Sequence, residues 1–158
     1  MLTIGAEAGG DDLVETTQDD LQAGGGYFLG GGLQIKELLT DIRYMVTVNY
    51  RRRNVDFSGP SGEATMKVIP LELFGVKYFG KTGVGGGLTY HIHPIYELCL
   101  DSIGCGETKF DNAVGIFLLW TLNLKNSFIG FRYTSIEYDS SVYSVDASGL
   151  GIVMGTAF

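Results

Sequence analysis

The last fifteen residues limit the fold more than any other stretch. In Ser144–Phe158 the even positions Leu150, Ile152, Met154 and Phe158 are large and apolar. The odd positions Gly149, Gly151, Val153, Gly155 and Ala157 are mostly small. Side chains on a strand alternate faces with period two, so this is a strand with one bulky apolar face and one glycine face. A strand of a water-soluble sandwich would set apolar residues against polar ones. A glycine face suits the crowded interior of a small barrel, and a bulky apolar face suits lipid on the outside.

The same alternation recurs along the chain. Residues 1–9 set Leu2, Ile4, Ala6 and Ala8 against Thr3, Gly5, Glu7 and Gly9. Residues 24–37 set Tyr27, Leu29, Leu33 and Ile35 against Phe28, Gly30, Gly32, Gln34 and Lys36. The third strand opposes Ile42, Tyr44, Val46, Val48 and Tyr50 to Arg43, Met45, Thr47, Asn49 and Arg51. A fourth, over 65–79, opposes Ile69, Leu71, Leu73 and Phe79 to Val68, Pro70, Glu72, Phe74 and Val76. Pro70 has no N–H for the ladder, which predicts a bulge or irregularity there. The fifth, about 84–97, opposes Val84, Leu88, Tyr90, Ile92, Pro94 and Tyr96 to Gly85, Gly87, Thr89, His91, His93, Ile95 and Glu97. The sixth covers about 112–124, the seventh about 127–138, and the eighth follows a turn at 139–141.

Turn chemistry separates these runs. Gly80–Lys81–Thr82–Gly83 and Lys125–Asn126 are short links. The acidic stretch 10–23, the polar stretch 52–64 and the cysteine-bearing stretch 98–111 are read as long loops. Long and short connections therefore alternate, which sorts the loops to one end of a meander and the turns, with both chain ends, to the other. Strand charges Glu7, Lys36, Arg43, Glu97 and Arg132 all fall on the face opposite the bulky residues. Outward Tyr27, Tyr50 and Tyr96 near the long loops, and Phe79 and Phe158 near the short turns, form two expected aromatic girdles. The expected fold is all-β: one domain over 1–158, an eight-stranded antiparallel up-and-down transmembrane β-barrel. A lipocalin-type barrel has the opposite polarity.

Composition agrees. The 158 residues hold 24 glycines and three prolines, unlike a helical protein. There is no apolar run of about eighteen residues, hence no membrane-spanning helix, which leaves a barrel open. A net charge of −7 argues against a nucleic-acid partner. The strand pattern begins at Met1–Leu2–Thr3–Ile4 with no signal peptide before it, so an exported chain is expected here in mature form.

Taken together, the chain resembles the small bacterial outer-membrane barrels of OmpA and OmpX type. The resemblance covers the whole chain and rests on Gly85-Gly86-Gly87-Leu88-Thr89-Tyr90, Gly130-Phe131-Arg132-Tyr133 and Gly149-Leu150-Gly151-Ile152 through the terminal Phe158. It implies a bacterial outer-membrane location with both termini periplasmic, surroundings of outer-membrane lipid and lipopolysaccharide, and insertion by the outer-membrane assembly machinery. It implies no single activity, because this architecture hosts adhesins, anchors, small channels and lipid-modifying enzymes. A peptidoglycan-binding domain after Phe158, as in full-length proteins of OmpA type, is not expected.

Three constellations could carry chemistry. His91, His93 and Glu97 share one face by parity and could hold a metal. They fit better in a lumenal polar network with Glu7, Arg43 and Arg132, so no metal and no cofactor is expected. A lipid A-modifying site would need a Ser beside a membrane-facing His; the pair here is His-Ile-His and faces inward. Phe28, Phe117 and Leu119 could line a narrow conduit or binding site for small hydrophobic molecules. The primary expectation is a monomeric, non-enzymatic membrane protein with a structural or surface-interaction role through its long loops. Cys99 and Cys105 lie in one loop on a route through an oxidising compartment, which favours a disulfide. Free thiols or a metal pair are the alternatives, and too few other ligands lie nearby for the second.

Overall fold

Bulky-outward alternation is met on both sides of the last strand by neighbours in the same phase, and the sheet closes on itself. The computed structural model describes residues 1–15, 20–36, 41–57, 62–101 and 104–156. Its strands are β1 (Leu2–Ala8), β2 (Asp12–Glu15), β3 (Asp20–Gln22), β4 (Gly26–Lys36), β5 (Ile42–Phe57), β6 (Gly62–Phe79), β7 (Thr82–Leu100), β8 (Gly104–Lys109), β9 (Ala113–Leu124), β10 (Ser127–Ser135), β11 (Glu137–Asp139), β12 (Ser144–Asp146) and β13 (Gly149–Thr156). Eight of them (β1, β4, β5, β6, β7, β9, β10 and β13) pair in chain order as an antiparallel barrel. The ring is shut by β1 on β13, from Leu2↔Thr156 to Ala8↔Leu150. The other strands lie beyond the barrel at the end away from the termini: hairpin β2–β3, hairpin β11–β12, and β8 folded back on β7. No helix occurs among the described residues.

The outward face is apolar. On β9, Val114, Ile116, Leu118, Trp120, Leu122 and Leu124 are all exposed, Leu118 by 64%. At about 3.4 Å per residue and a tilt near 40°, that run is about 25 Å tall, the height of the apolar band of an outer-membrane barrel. Inward positions of the same strands are buried: Phe117 and Leu119 on β9, Met45, Thr47, Asn49 and Arg51 on β5. Leu29 and Leu33 on β4, exposed by 64% and 77%, continue the band. These are the properties of a membrane β-barrel.

Toward the loop end the polarity inverts within continuous strands. Tyr27, Tyr50, Tyr90 and Tyr133 are exposed where the band ends. Beyond Tyr50, the outward residues of β5 become Arg52, Asn54 and Asp56 while Val55 is buried. Val55, Ala64, Met66, Phe110, Ala113, Ile136, Tyr138, Val145 and Ala147 join Leu21 and Ala23 in one core there. Lipid demands apolar residues outside; water demands them inside. The change of phase marks the passage from one solvent to the other.

This inversion corrects the expected loops. The stretch 52–64 is largely strand: β5 runs on to Phe57 and pairs with β6 through Arg52↔Lys67, Asn54↔Thr65 and Asp56↔Glu63. The stretch 98–111 contains the end of β7 paired with β8, and 10–23 contains β2 paired with β3; 16–19, 58–61 and 102–103 lie outside the described residues. The seventh barrel strand ends at Ser135, and Glu137–Asp139 pairs separately with β12.

The expected irregularity beside Pro70 exists, and the extra residue is on β7. Lys67 pairs with Ile95 but Ile69 pairs with Ile92, so Val68 alone faces His93 and Pro94. His93 has φ 46°, the left-handed conformation found at such bulges. One extra residue flips parity for the rest of the strand. Tyr96 and Leu98 therefore point inward and pack on the loop-end core, so Tyr96 is not part of an outward girdle. Phe158, expected in the other girdle, lies outside the described residues; Phe79 is exposed at that end.

If the band is lipid-facing, charge at its middle is costly. Leu118→Arg is expected to lose about 2–4 kcal/mol of stability in vesicles, read by denaturant titration. Asn54→Arg, beyond the tyrosines, should change it little. Equal effects would refute the assigned depth.

Candidate functional site

Four charged side chains meet in the middle of the lumen. Glu7 on β1, Arg51 on β5, Glu72 on β6 and Arg132 on β10 all face inward, and each is at most 4% exposed. Glu7 bridges the two guanidinium groups: its Oε2 pairs with Arg51 Nη2, and its Oε1 is 2.9 Å from Arg132 Nε. Arg132 Nη1 is 2.7 Å from Glu72. Two cations and two anions make the set neutral, which a low-dielectric interior requires.

Neutral polar groups complete the layer. The Thr47 hydroxyl donates to Glu72 at 2.9 Å, and the Thr134 hydroxyl donates to Glu7 at 3.2 Å. Thr3 donates to Asn49 Oδ1 at 2.9 Å, and Asn49 Nδ2 donates to Thr47 at 3.2 Å. Arg51 Nη1 reaches the Gly24 carbonyl at 3.3 Å. Glycines on the inward face make the room. A Cβ on Gly30 would sit 1.9 Å from Asn49 Oδ1, and one on Gly5 would sit 2.3 Å from the Phe28 ring.

Apolar residues close the lumen on both sides of this layer. Toward the termini Phe28, Met45, Phe74, Val76, Phe117, Leu119 and Val153 form one cluster. Phe74 and Phe117 meet edge to face at 5.3 Å, and the Arg132 guanidinium lies 4.1 Å over the Phe117 ring. Toward the loops lies the core around Tyr138, whose hydroxyl shares a 2.6 Å hydrogen bond with His91 Nδ1. Burial pushes the Tyr138 phenol up to about 12, with Arg51 opposing and Glu7 adding to the rise. The phenol therefore stays protonated and able to donate.

Of the residues proposed from sequence, Glu7 and Arg132 meet directly. Arg43 lies nearer the termini, 4.4 Å over the Tyr78 ring and outside the charged layer. His91 is fully buried, but His93 is exposed, with its backbone N–H donating to Asn112 at 2.9 Å. Glu97 pairs with Lys67 at 2.5 Å, half-buried beyond the bulge. The bulge at His93 thus disperses the trio His91, His93 and Glu97 that parity had put on one face. Arg51 and Glu72 complete the layer and were not singled out. Both had inward parity, which was their signal; Arg51 stood at a supposed loop boundary and Glu72 in the least regular strand. Phe28, Phe117 and Leu119, the candidate lining of a conduit, are packed into the terminal-end cluster. Cys99 and Cys105 are joined in a disulfide, directly opposite one another in the β7–β8 hairpin with Cα atoms 4.0 Å apart.

No family model and no curated protein matches the chain. A solved structure does: the crystal structure of Ail, the attachment invasion locus protein of Yersinia pestis, in complex with the heparin analogue sucrose octasulfate. The alignment covers 99% of this chain and 96% of that one, with a TM-score of 0.66 and 14% identity. At that identity the likeness is one of fold, that of an eight-stranded outer-membrane barrel.

Glu7→Gln leaves two buried guanidinium groups short of a counter-charge. Loss of about 3–5 kcal/mol is expected, as for breaking a buried pair from one side, measured as a lower urea midpoint. A midpoint equal to the parent's would mean that water already screens the layer.

Proposed function

We propose that the protein is an integral protein of a bacterial outer membrane that acts through its loop end and conducts nothing through its lumen. In this reading the termini and short turns are periplasmic and the hairpins are outside the cell. The observation that carries it is the filled interior: a neutral charged layer held between two apolar clusters. An eight-stranded barrel is just wide enough for its own side chains. A hydrophobic-molecule conduit would need the space that Phe28, Phe117 and Leu119 occupy. A lipid-modifying enzyme would need a histidine at the outer wall paired with a serine; His91 is buried against Tyr138, and the exposed His93 sits on the bulge with its backbone N–H on Asn112. We therefore take the protein to be a monomeric, non-enzymatic component, bathed in outer-membrane lipid and lipopolysaccharide and delivered by the assembly machinery.

What it offers a partner is a rigid sheet. The outer halves of β5, β6 and β7, with β8, pair side by side beyond the tyrosines. Their outer face carries Arg52–Glu63 and Lys67–Glu97 pairs. The surrounding hairpins are acidic: Asp11, Asp12, Glu107, Glu137, Asp139 and Asp146 are exposed there. The solved structure of Ail holds a polysulfate; the charge balance here is unsuited to one and favours a cationic partner surface.

Two measurements test this. In planar bilayers the folded protein should give no large, steady single-channel conductance; such a conductance would overturn the closed lumen. On immobilised heparin at physiological salt it should pass unretained, while immobilised polylysine should hold it and release it as salt rises. Retention by heparin alone would reverse the proposed partner chemistry.

A further inference from the structure

The outer wall carries an apolar groove that ends at two lysines, and we infer that it seats one acyl chain of an anionic phospholipid from the leaflet on the short-turn side. The inference rests on the membrane reading above and adds a lipid preference to it. Near the termini a cavity of about 550 Å³ is lined by Leu2, Ile4, Leu29, Ile129 and Met154, with Gly155 in its lining. Above it, a second cavity of about 530 Å³ is lined by Trp120, Phe131, Leu150 and Ile152. Ile152 and Met154 are successive outward residues of β13, and Ile129 and Phe131 of β10, paired Phe131↔Ile152 and Ile129↔Met154. The two cavities therefore adjoin along one seam. From Thr156 to Leu150 the seam runs about 20 Å along the strand. At a tilt near 45° this is about 14 Å of depth, one leaflet of a hydrocarbon core about 30 Å thick. A chain entering from the terminal end fits it.

The end of the groove is basic. Leu124 and Ser127, which line the lower cavity, flank the turn that bears exposed Lys125. Asn126 in that turn accepts a hydrogen bond from Thr156, also in the lining, at 3.1 Å. The neighbouring turn bears exposed Lys81, whose carbonyl accepts the Asn123 N–H at 2.7 Å. Two exposed lysines thus stand on adjacent turns at the end of the barrel where the seam begins, and supply the positive charge that a headgroup phosphate needs. Asp41, the acidic residue described at this end, precedes β5, away from the seam.

The test uses the whole folded chain in detergent, its barrel first verified by heat-modifiable gel migration; failure there would strike the membrane reading, not this one. Equal amounts of phosphatidylglycerol and phosphatidylcholine of the same chain length are added, and retained lipid is counted by native mass spectrometry. Preferential retention of phosphatidylglycerol is expected. Lys81→Gln and Lys125→Gln should each reduce that preference about five-fold, the equivalent of ~1 kcal/mol per basic residue near an anionic surface. Lys109→Gln, a loop-end variant of equal charge change, should leave it intact. Inorganic phosphate should not compete, and a six-carbon-chain phosphatidylglycerol should be retained poorly. Equal retention of the two lipids, unchanged preference in both turn variants, or competition by inorganic phosphate would overturn the inference.

Discussion

Hydrocarbon offers no hydrogen bonds, so every backbone N–H and C=O within it must find a partner in the chain. The pairing of β1 with β13 is where this requirement is met last: until Leu2 faces Thr156, two edges lie open. Closing with eight strands then dictates the interior. The bore is narrow, so inward positions hold glycine where a neighbour's side chain crosses, as Gly5 does for Phe28 and Gly155 for Phe128. The glycine face of the last strand is thus a consequence of ring size rather than of turn chemistry.

A narrow bore that must also be filled admits charge only in neutral sets. Arg132 is the hub, because it touches Glu7, Glu72, Thr134 and the Phe117 ring together. Removing two charges from water is expensive, and a well-packed apolar replacement can be as stable. Register offers a better account of the layer. Glu7, Arg51, Glu72 and Arg132 come from four separate strands, and a slip of one residue would turn any of them toward lipid. The penalty for a wrong pairing is therefore large, while the net gain from the right one is modest.

The barrel was legible because lipid enforces alternation with few exceptions. Leu29, Val46, Leu118 and Ile152 are exposed as their parity requires, and Met45, Phe117 and Val153 are buried. What was not legible lies beyond the tyrosines, where the rule reverses. A strand with water on one side and a small core on the other, such as 52–57, carries Arg, Asn and Asp at the frequency of a loop. The second failure was parity itself. One added residue at His93 moved Tyr96 and Glu97 to the opposite faces and dissolved the His91, His93, Glu97 cluster. Nothing in a period-two count reveals a bulge, although Pro70 on the partner strand marked the neighbourhood. Arg51 and Glu72 were readable as inward but not as partners, because partnership depends on cross-barrel distance.

The continuity of β5, β6 and β7 across the tyrosine boundary has a mechanical consequence. These strands run 16, 18 and 19 residues without a break in secondary structure. A loop joined by flexible ends could reorient over the membrane, but this sheet cannot turn without breaking ladder hydrogen bonds on both flanks. Its inner face is also held by the core around Tyr138, to which β11 and β12 contribute. β8 is fixed to β7 by the Cys99–Cys105 bond and by pairing from Ile95↔Lys109 to Leu100↔Gly104. The outer surface is therefore presented at an angle set by strand tilt within the bilayer. Binding at such a surface would cost little ordering entropy, because the sheet is held in place before any contact.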